Sequence, residues 1–221
     1  MKLELISFKL CPFAQRAIIL LNTQKIDFEI TYINPMDPPD WFKEISPTGQ
    51  VPLLKVDDEI VFESSVITEF INDISVTSIH PEDVIQKANN RSWIAFSSTM
   101  FDDLFGLVTG DKDKFDTSKN SLFVKLTKLE KAKNNSVFFN GDNFNMIDAA
   151  IAPIFMRLDW INEFTDNALS ISEFKNLSAW SDSILAVEVV KTSVVDGLDD
   201  VYYSNIEGRE GHLSTLLVDE E

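Results

Sequence analysis

The chain carries one cysteine, Cys11, with Pro12 directly after it. A thiol attacks as its thiolate, and an ordinary cysteine, with a pKa of about 8.5, is mostly protonated at neutral pH. Placement at a helix N-terminus favours the anion, because unpaired N–H groups and the positive end of the helix dipole face it. Proline suits the first helical position, where its missing N–H had no intrahelical partner in any case. Cys11-Pro12 therefore reads as a reactive thiol opening a helix, with Arg16 one turn on to add positive potential. A free cysteine is otherwise a small, inert core residue, but the strand–Cys–Pro–helix setting argues against that reading. A dithiol site needs a second cysteine three residues later, and that position is Ala14. Any mixed disulfide at Cys11 must be resolved by an outside thiol, which favours thiol transfer or reduction over disulfide formation.

Glutathione is the abundant outside thiol, and two further segments suit a peptide-like ligand. Val51-Pro52 precedes a strand, and a cis bond there would expose the N–H and C=O of Val51 to an extended ligand. Glu63-Ser64 starts a helix, where the Ser64 hydroxyl and free N–H groups hold a carboxylate and Glu63 accepts an ammonium. Taken alone, a Val-Pro pair is common and Glu-Ser before a helix is usually a cap.

The elements around these residues alternate at first. Leu3–Phe8 is a compact apolar run suited to a buried strand. In the helix opened by Pro12, residues Phe13, Ala17, Leu20 and Leu21 share one face. Phe28, Ile30 and Tyr32 alternate with polar neighbours, giving β-α-β, the pattern of a crossover unit. Pro35–Pro39 leads to a short irregular helix at Trp41-Phe42. Val51–Val56 and Glu59–Phe62 form a hairpin about Asp57-Asp58, and a helix follows from Ser64. That order is thioredoxin-like.

Residues 75–82, with His80-Pro81, read as a linker. Helices are then predicted near 83–109, 117–133, 146–162 and 173–191. The third has Asn145 as N-cap, Asp148 completing a capping box, and Phe144 as a staple against Ala149. Its body is apolar nearly all round, so it should be the buried centre of its domain. The polar tail after Gly197 is expected to be loosely ordered. The division expected is 1–76 and 83–221.

Bulk composition sets limits. The 221 residues are 44% hydrophobic and 25% charged, which argues for a folded globular chain rather than a disordered one. A formal net charge of −17 repels nucleic acid, whose binding relies on Lys and Arg, and anionic membranes. No apolar run reaches the roughly 20 residues of a membrane span. The start, MKLELISF, lacks a signal-peptide pattern, and a lone cysteine forms no internal disulfide, so a cytoplasmic location is expected. His80 and His212 are isolated, so no metal is expected. Asp111-Lys112-Asp113 resembles the opening of a calcium loop, but Leu122 stands where its closing Glu belongs, and the run reads as a solvated loop. Asp102-Asp103 reads as an exposed helix face, and Phe96, Phe101 and Phe105 as core rather than an acceptor pocket.

Together these segments resemble the glutathione transferases, in their omega-like, cysteine-containing branch. CPFAQR (Cys11–Arg16) is similar to that branch's Cys-Pro-Phe-x-x-Arg active-site segment. WFKEISPTGQVPLL (Trp41–Leu54) resembles the stretch leading to its Val-Pro turn, and ESSVITEFI (Glu63–Ile71) its glutamyl-binding helix start. FNMIDAAIAP (Phe144–Pro153) resembles its central N-capped helix, and NLSAWSDSIL (Asn176–Leu185) its Trp-containing helix. The resemblance spans roughly residues 1–190.

It implies an α/β N-terminal thioredoxin-like domain that binds glutathione, an all-α C-terminal domain, and a homodimer. It also implies that Cys11 is the nucleophile and that Phe13, Val51, Pro52, Glu63 and Ser64 line the site of glutathione, the co-substrate. Family activities are thiol transfer, dehydroascorbate reduction and removal of glutathione from conjugates, with a small electrophilic or disulfide substrate. The omega pattern has a lysine before the Trp-Phe pair that holds glutathione's glycine end; here the stretch is Asp37-Pro38-Pro39-Asp40. The proline expected after the Trp-containing helix is also missing around Ala186. The alternative is a non-catalytic protein-binding regulator resembling the stringent-starvation proteins. Such a protein needs no working nucleophile, so an intact Cys11-Pro12-Phe13 favours the enzyme.

Overall fold

The computed structural model describes residues 1–218. They form two compact units: Met1–Ile79 with Val189–Val195, and His80–Glu188 with the residues from Asp196 on. Of the division expected from sequence, residues 219–221 lie outside the described ones.

The first unit runs β1 (Leu3–Ser7), α1 (Pro12–Thr23), β2 (Glu29–Tyr32), α2 (Asp40–Ile45), β3 (Leu53–Val56), β4 (Glu59–Phe62) and α3 (Ser64–Ile74). The sheet order is β2-β1-β3-β4, with β1 and β2 parallel, β3 antiparallel to β1 and β4 antiparallel to β3, as in a thioredoxin-like domain. Side chains alternate between the sheet faces. Ile6 and Leu53 meet Phe42 of α2 on one face, with Ile33, Ile45, Val51 and Ile60 packed around them. Leu5 and Leu54, paired across β1 and β3, point to the other face, and α1 packs along α3. The strand expected from Val51 begins only at Leu53, because Pro52 has no N–H to donate to a ladder. The linker after α3 is tied down, since Asn72 Oδ1 accepts from Ser78 Oγ and Ile79 N, each at 3.1 Å.

The second unit contains α4 (Val84–Ser98), α5 (Met100–Thr109), α6 (Lys112–Ala132), α7 (Met146–Phe164) and α8 (Lys175–Leu185). After the short α9 (Glu188–Lys191) come α10 (Leu198–Gly208) and a 3-10 helix, His212–Leu216. Fifteen of the nineteen residues of α7 are buried, which makes it the central helix the sequence predicts.

Several sequence expectations need correcting. The helix expected over 83–109 is broken at Thr99. Ser97 and Ser98 donate to Ile94 O, and Thr99 to Phe96 O, so three consecutive hydroxyls bond back into the preceding turn and bend the chain. The stretch expected over 173–191 likewise splits into α8 and α9. The Asp111–Asp113 run is a helix start rather than a loop: Asp111 accepts from Lys114 N at 2.9 Å and caps α6. Asp103 is buried and ion-paired with Lys125 at 2.7 Å, while Asp102 is exposed as expected.

Phe101 is buried but Phe105 is 64% exposed, so these aromatics do not share one role. Phe144 meets Phe138 edge-on at 5.5 Å. From Leu198 to Val218 the tail is ordered rather than loose: Leu198, Tyr202 and Ile206 recur every fourth residue, a helical stripe, and all three are buried, while residues 219–221 lie outside the described ones.

Candidate active site

Cys11 is the N-cap of α1, with its N–H on Phe8 O at 2.9 Å, and it is 8% exposed. The next residue, Pro12, takes the first helical position, which puts Cys11 at the end of α1 where the dipole is positive. Sγ lies 3.8 Å from the carbonyl oxygen of Val51, a weak contact for sulfur. The Val51-Pro52 bond is cis.

Arg16, one turn along α1, is buried. Burial pulls its guanidinium down to about 9, and a negative charge on Cys11 would pull in the other direction. Its carbon sits 5.9 Å from the centre of the Phe13 ring. Between Cys11 and Arg16, Gln15 is also buried and donates to Ser193 Oγ at 3.0 Å, and Ser193 in turn donates to Val190 O at 2.6 Å. These bonds hold the first turns of α1 to the Val189–Val195 segment of the same unit.

Beside Val51 lies a cavity of about 120 Å³ lined by Phe13, Thr48, Gln50, Val51, Pro52, Glu63 and Ser64. Phe13, Val51, Pro52, Glu63 and Ser64, the five candidates from the sequence, thus line one space. Thr48 and Gln50 were missed. Their only signal is position, in the polar turn just before Val51, where Gly49 takes a φ of +68°. Glu63 also has a positive φ, +68°, and no side chain caps the start of α3, so the first N–H groups of that helix are open beside Ser64. In the stretch that departs from the omega pattern, Asp40 starts α2 and is ion-paired to Lys43 at 2.9 Å, both side chains exposed.

A sequence model described as the glutathione S-transferase N-terminal domain matches residues 10–74. Over 177 residues, covering 75% of this chain and 72% of its relative, the sequence is 31% identical to glutathione S-transferase omega-1 of Rattus norvegicus. The chain belongs to the glutathione S-transferase family. It is also 27% identical to the probable chloroplastic glutathione S-transferase DHAR2 of Oryza sativa subsp. japonica, over 76% of this chain but only 56% of that relative's length. A rice transferase, GST1, solved in complex with glutathione, matches with a TM-score of 0.82 at 19% identity, over 94% of this chain and 95% of that one. At that identity the likeness speaks for the fold alone.

In this chain the helical unit is built around Asp148, which is fully buried. Its carboxylate accepts from Asn145 N at 2.9 Å, Phe139 N at 3.0 Å and Trp180 Nε1 at 2.7 Å. The capping box is therefore also the joint between α7, α8 and the 138–145 loop. Burial pushes Asp148 up to about 6, and its hydrogen bonds and Lys133 oppose the rise. Its role is structural. Among the described residues, no group of three or more His, Cys, Asp or Glu could hold a metal ion, and no helix is long and apolar enough to cross a membrane.

Proposed function

We propose that this transferase is a glutathione-dependent thiol transferase or reductase that works through a Cys11 thiolate and a Cys11–glutathione mixed disulfide. The observation that carries this reading is the lone cysteine at the N-cap of α1, 3.8 Å from Val51 O and so beside the cavity that Val51 lines. The attraction between Cys11 and Arg16 favours the thiolate as much as it favours the cation.

Glutathione docks as an extended tripeptide in residues 1–76, acting as the glutathione domain, while 83–221 serve as the helical domain. Its γ-glutamyl carboxylate meets the open N-terminus of α3 and the Ser64 hydroxyl, and its ammonium meets Glu63. Val51 pairs with the cysteinyl backbone, while Pro52 and Phe13 close the sides.

The Cys11 thiolate attacks the glutathione sulfur of a disulfide substrate. The S–S bond breaks, and the substrate leaves as a thiolate that takes a proton from water. A second glutathione thiolate then attacks the glutathione sulfur held by Cys11, which releases oxidised glutathione and restores the Cys11 thiolate. Omega and DHAR relatives make small disulfides and dehydroascorbate the substrates to assay first. We further propose a homodimer in the cytoplasm, which light scattering and cell fractionation check.

Mass spectrometry after treatment with oxidised glutathione tests the mechanism. One glutathione should appear on Cys11, and Cys11→Ala should take no adduct and lose turnover by at least about 100-fold. Full thiol-transferase activity in Cys11→Ala would overturn it. Dominant conjugation to chlorinated aromatics would show that the branch is wrong.

A further inference from the structure

A second cavity belongs wholly to the helical unit. Phe155, Leu158 and Asp159 of α7 and Ser178, Ser181 and Asp182 of α8 line about 140 Å³ of space. On each helix the three residues follow the spacing i, i+3, i+4, so each helix presents one continuous face. The apolar floor is Ile171, partly exposed, over Phe155 and Leu158, which are fully buried. Ser181 is 7% exposed, yet its hydroxyl makes no hydrogen bond among the described residues. Ser181 lines the cavity, so its unused oxygen is open to a donor there.

The rim carries charge of one sign. Neither Asp159 nor Asp182 joins an ion pair or a side-chain hydrogen bond among the described residues. Burial, and then the charge of Asp182, push the Asp159 carboxyl upward. The last turn of α7 has no basic residue, so the negative end of its dipole adds to the same field. Asp159 also lines a wider cavity of about 540 Å³ with Glu163 and Asp166. Among the described residues, no basic side chain lines either cavity.

We propose that the α7–α8 cavity binds a primary ammonium group on an aliphatic chain, and that the wider cavity takes the second cation of a linear di- or polyamine. An ammonium carries three N–H donors and no acceptor. Asp159, Asp182 and Ser181 offer three acceptors that nothing else among the described residues uses. The alkyl chain lies on Ile171. A hard divalent cation fits worse, because it takes six or more oxygens and gains nothing from an apolar floor.

Calorimetric titration of the full chain at fixed ionic strength tests this, with spermidine, butylamine and magnesium chloride as separate probes. Spermidine should bind saturably at one site and butylamine more weakly. Asp159→Asn and Asp182→Asn should each weaken spermidine about tenfold or more, and Ser181→Ala several-fold. Asp113→Asn, on α6 and lining neither cavity, should change nothing. Both rim carboxylates are exposed, so their variants keep the fold, which circular dichroism verifies. No saturable heat with spermidine would overturn the proposal. So would equal weakening by Asp182→Asn and Asp113→Asn, or magnesium displacing spermidine at equal concentration, because either means diffuse attraction to an acidic surface.

Discussion

Glu63 holds a φ of +68°, a left-handed conformation that costs a residue with a side chain about 1–3 kcal/mol. Its side chain caps nothing on α3 and instead lines the cavity beside Val51, so the cost falls where a ligand would be met. Glu63→Gly should leave the thermal midpoint unchanged or higher, since glycine adopts that φ freely. If Glu63 holds the ammonium of glutathione, the same variant should raise the glutathione KM about tenfold, the loss of one charge-assisted hydrogen bond. A lowered midpoint with unchanged KM would mean the residue serves the fold alone. At this scale the sequence singles out Cys11, Phe13, Val51, Pro52, Glu63 and Ser64 as candidates, because each sits at a local landmark: a helix start, a Val-Pro turn or a strand end. Thr48 and Gln50 sit at no such landmark. The burial of Arg16 was equally invisible, since its sequence neighbours do not reveal what covers it.

Among the elements, α7 and its capping box bear most on stability. The folded-state value of Asp148, about 6, is above its ordinary 3.8, so folding takes up a proton between the two. The stability this group contributes is therefore present in full below about pH 4 and lost as pH rises through about 6. The stability of wild type relative to Asp148→Asn should fall by about 2–3 kcal/mol between pH 4 and pH 7, as urea unfolding of both proteins would read. A relative stability that rises with pH would reverse the sign and show that the hydrogen bonds outweigh burial. The docking of the 3-10 helix offers a second test. A Cβ on Gly211 would stand 2.9 Å from Val108 O and 3.0 Å from Gly110 O, backbone atoms that cannot swing away. The close approach is held by His212 N on Gly110 O at 2.8 Å. Gly211→Ala should cost about 1–3 kcal/mol, read as a lower urea midpoint at unchanged slope.

For the whole molecule the dominant quantity is the net charge of −17. Like charges repel in the compact state, and salt screens them over a Debye length of about 10 Å at 0.1 M. Raising sodium chloride from about 10 to 500 mM should lift the melting temperature by a few degrees, which differential scanning calorimetry checks. A falling midpoint would mean that ion pairs such as Lys125–Asp103 outweigh the repulsion.

Local signals in the sequence were enough to determine the strand–Cys–Pro–helix start, the β3–β4 hairpin and the Asn145–Asp148 box on a buried helix. Each depends on residues within a turn or two of one another, where propensity and period act directly. The tertiary structure alone decided that Asp103 is buried against Lys125, that hydroxyls divide α4 from α5, and that the polar-looking tail docks through Leu198, Tyr202, Ile206 and Leu213. It also decided that residues scattered from Phe13 to Ser64 share one cavity. Those outcomes depend on contacts between distant parts of the chain, whose energy appears only once the packed elements have removed the intervening water.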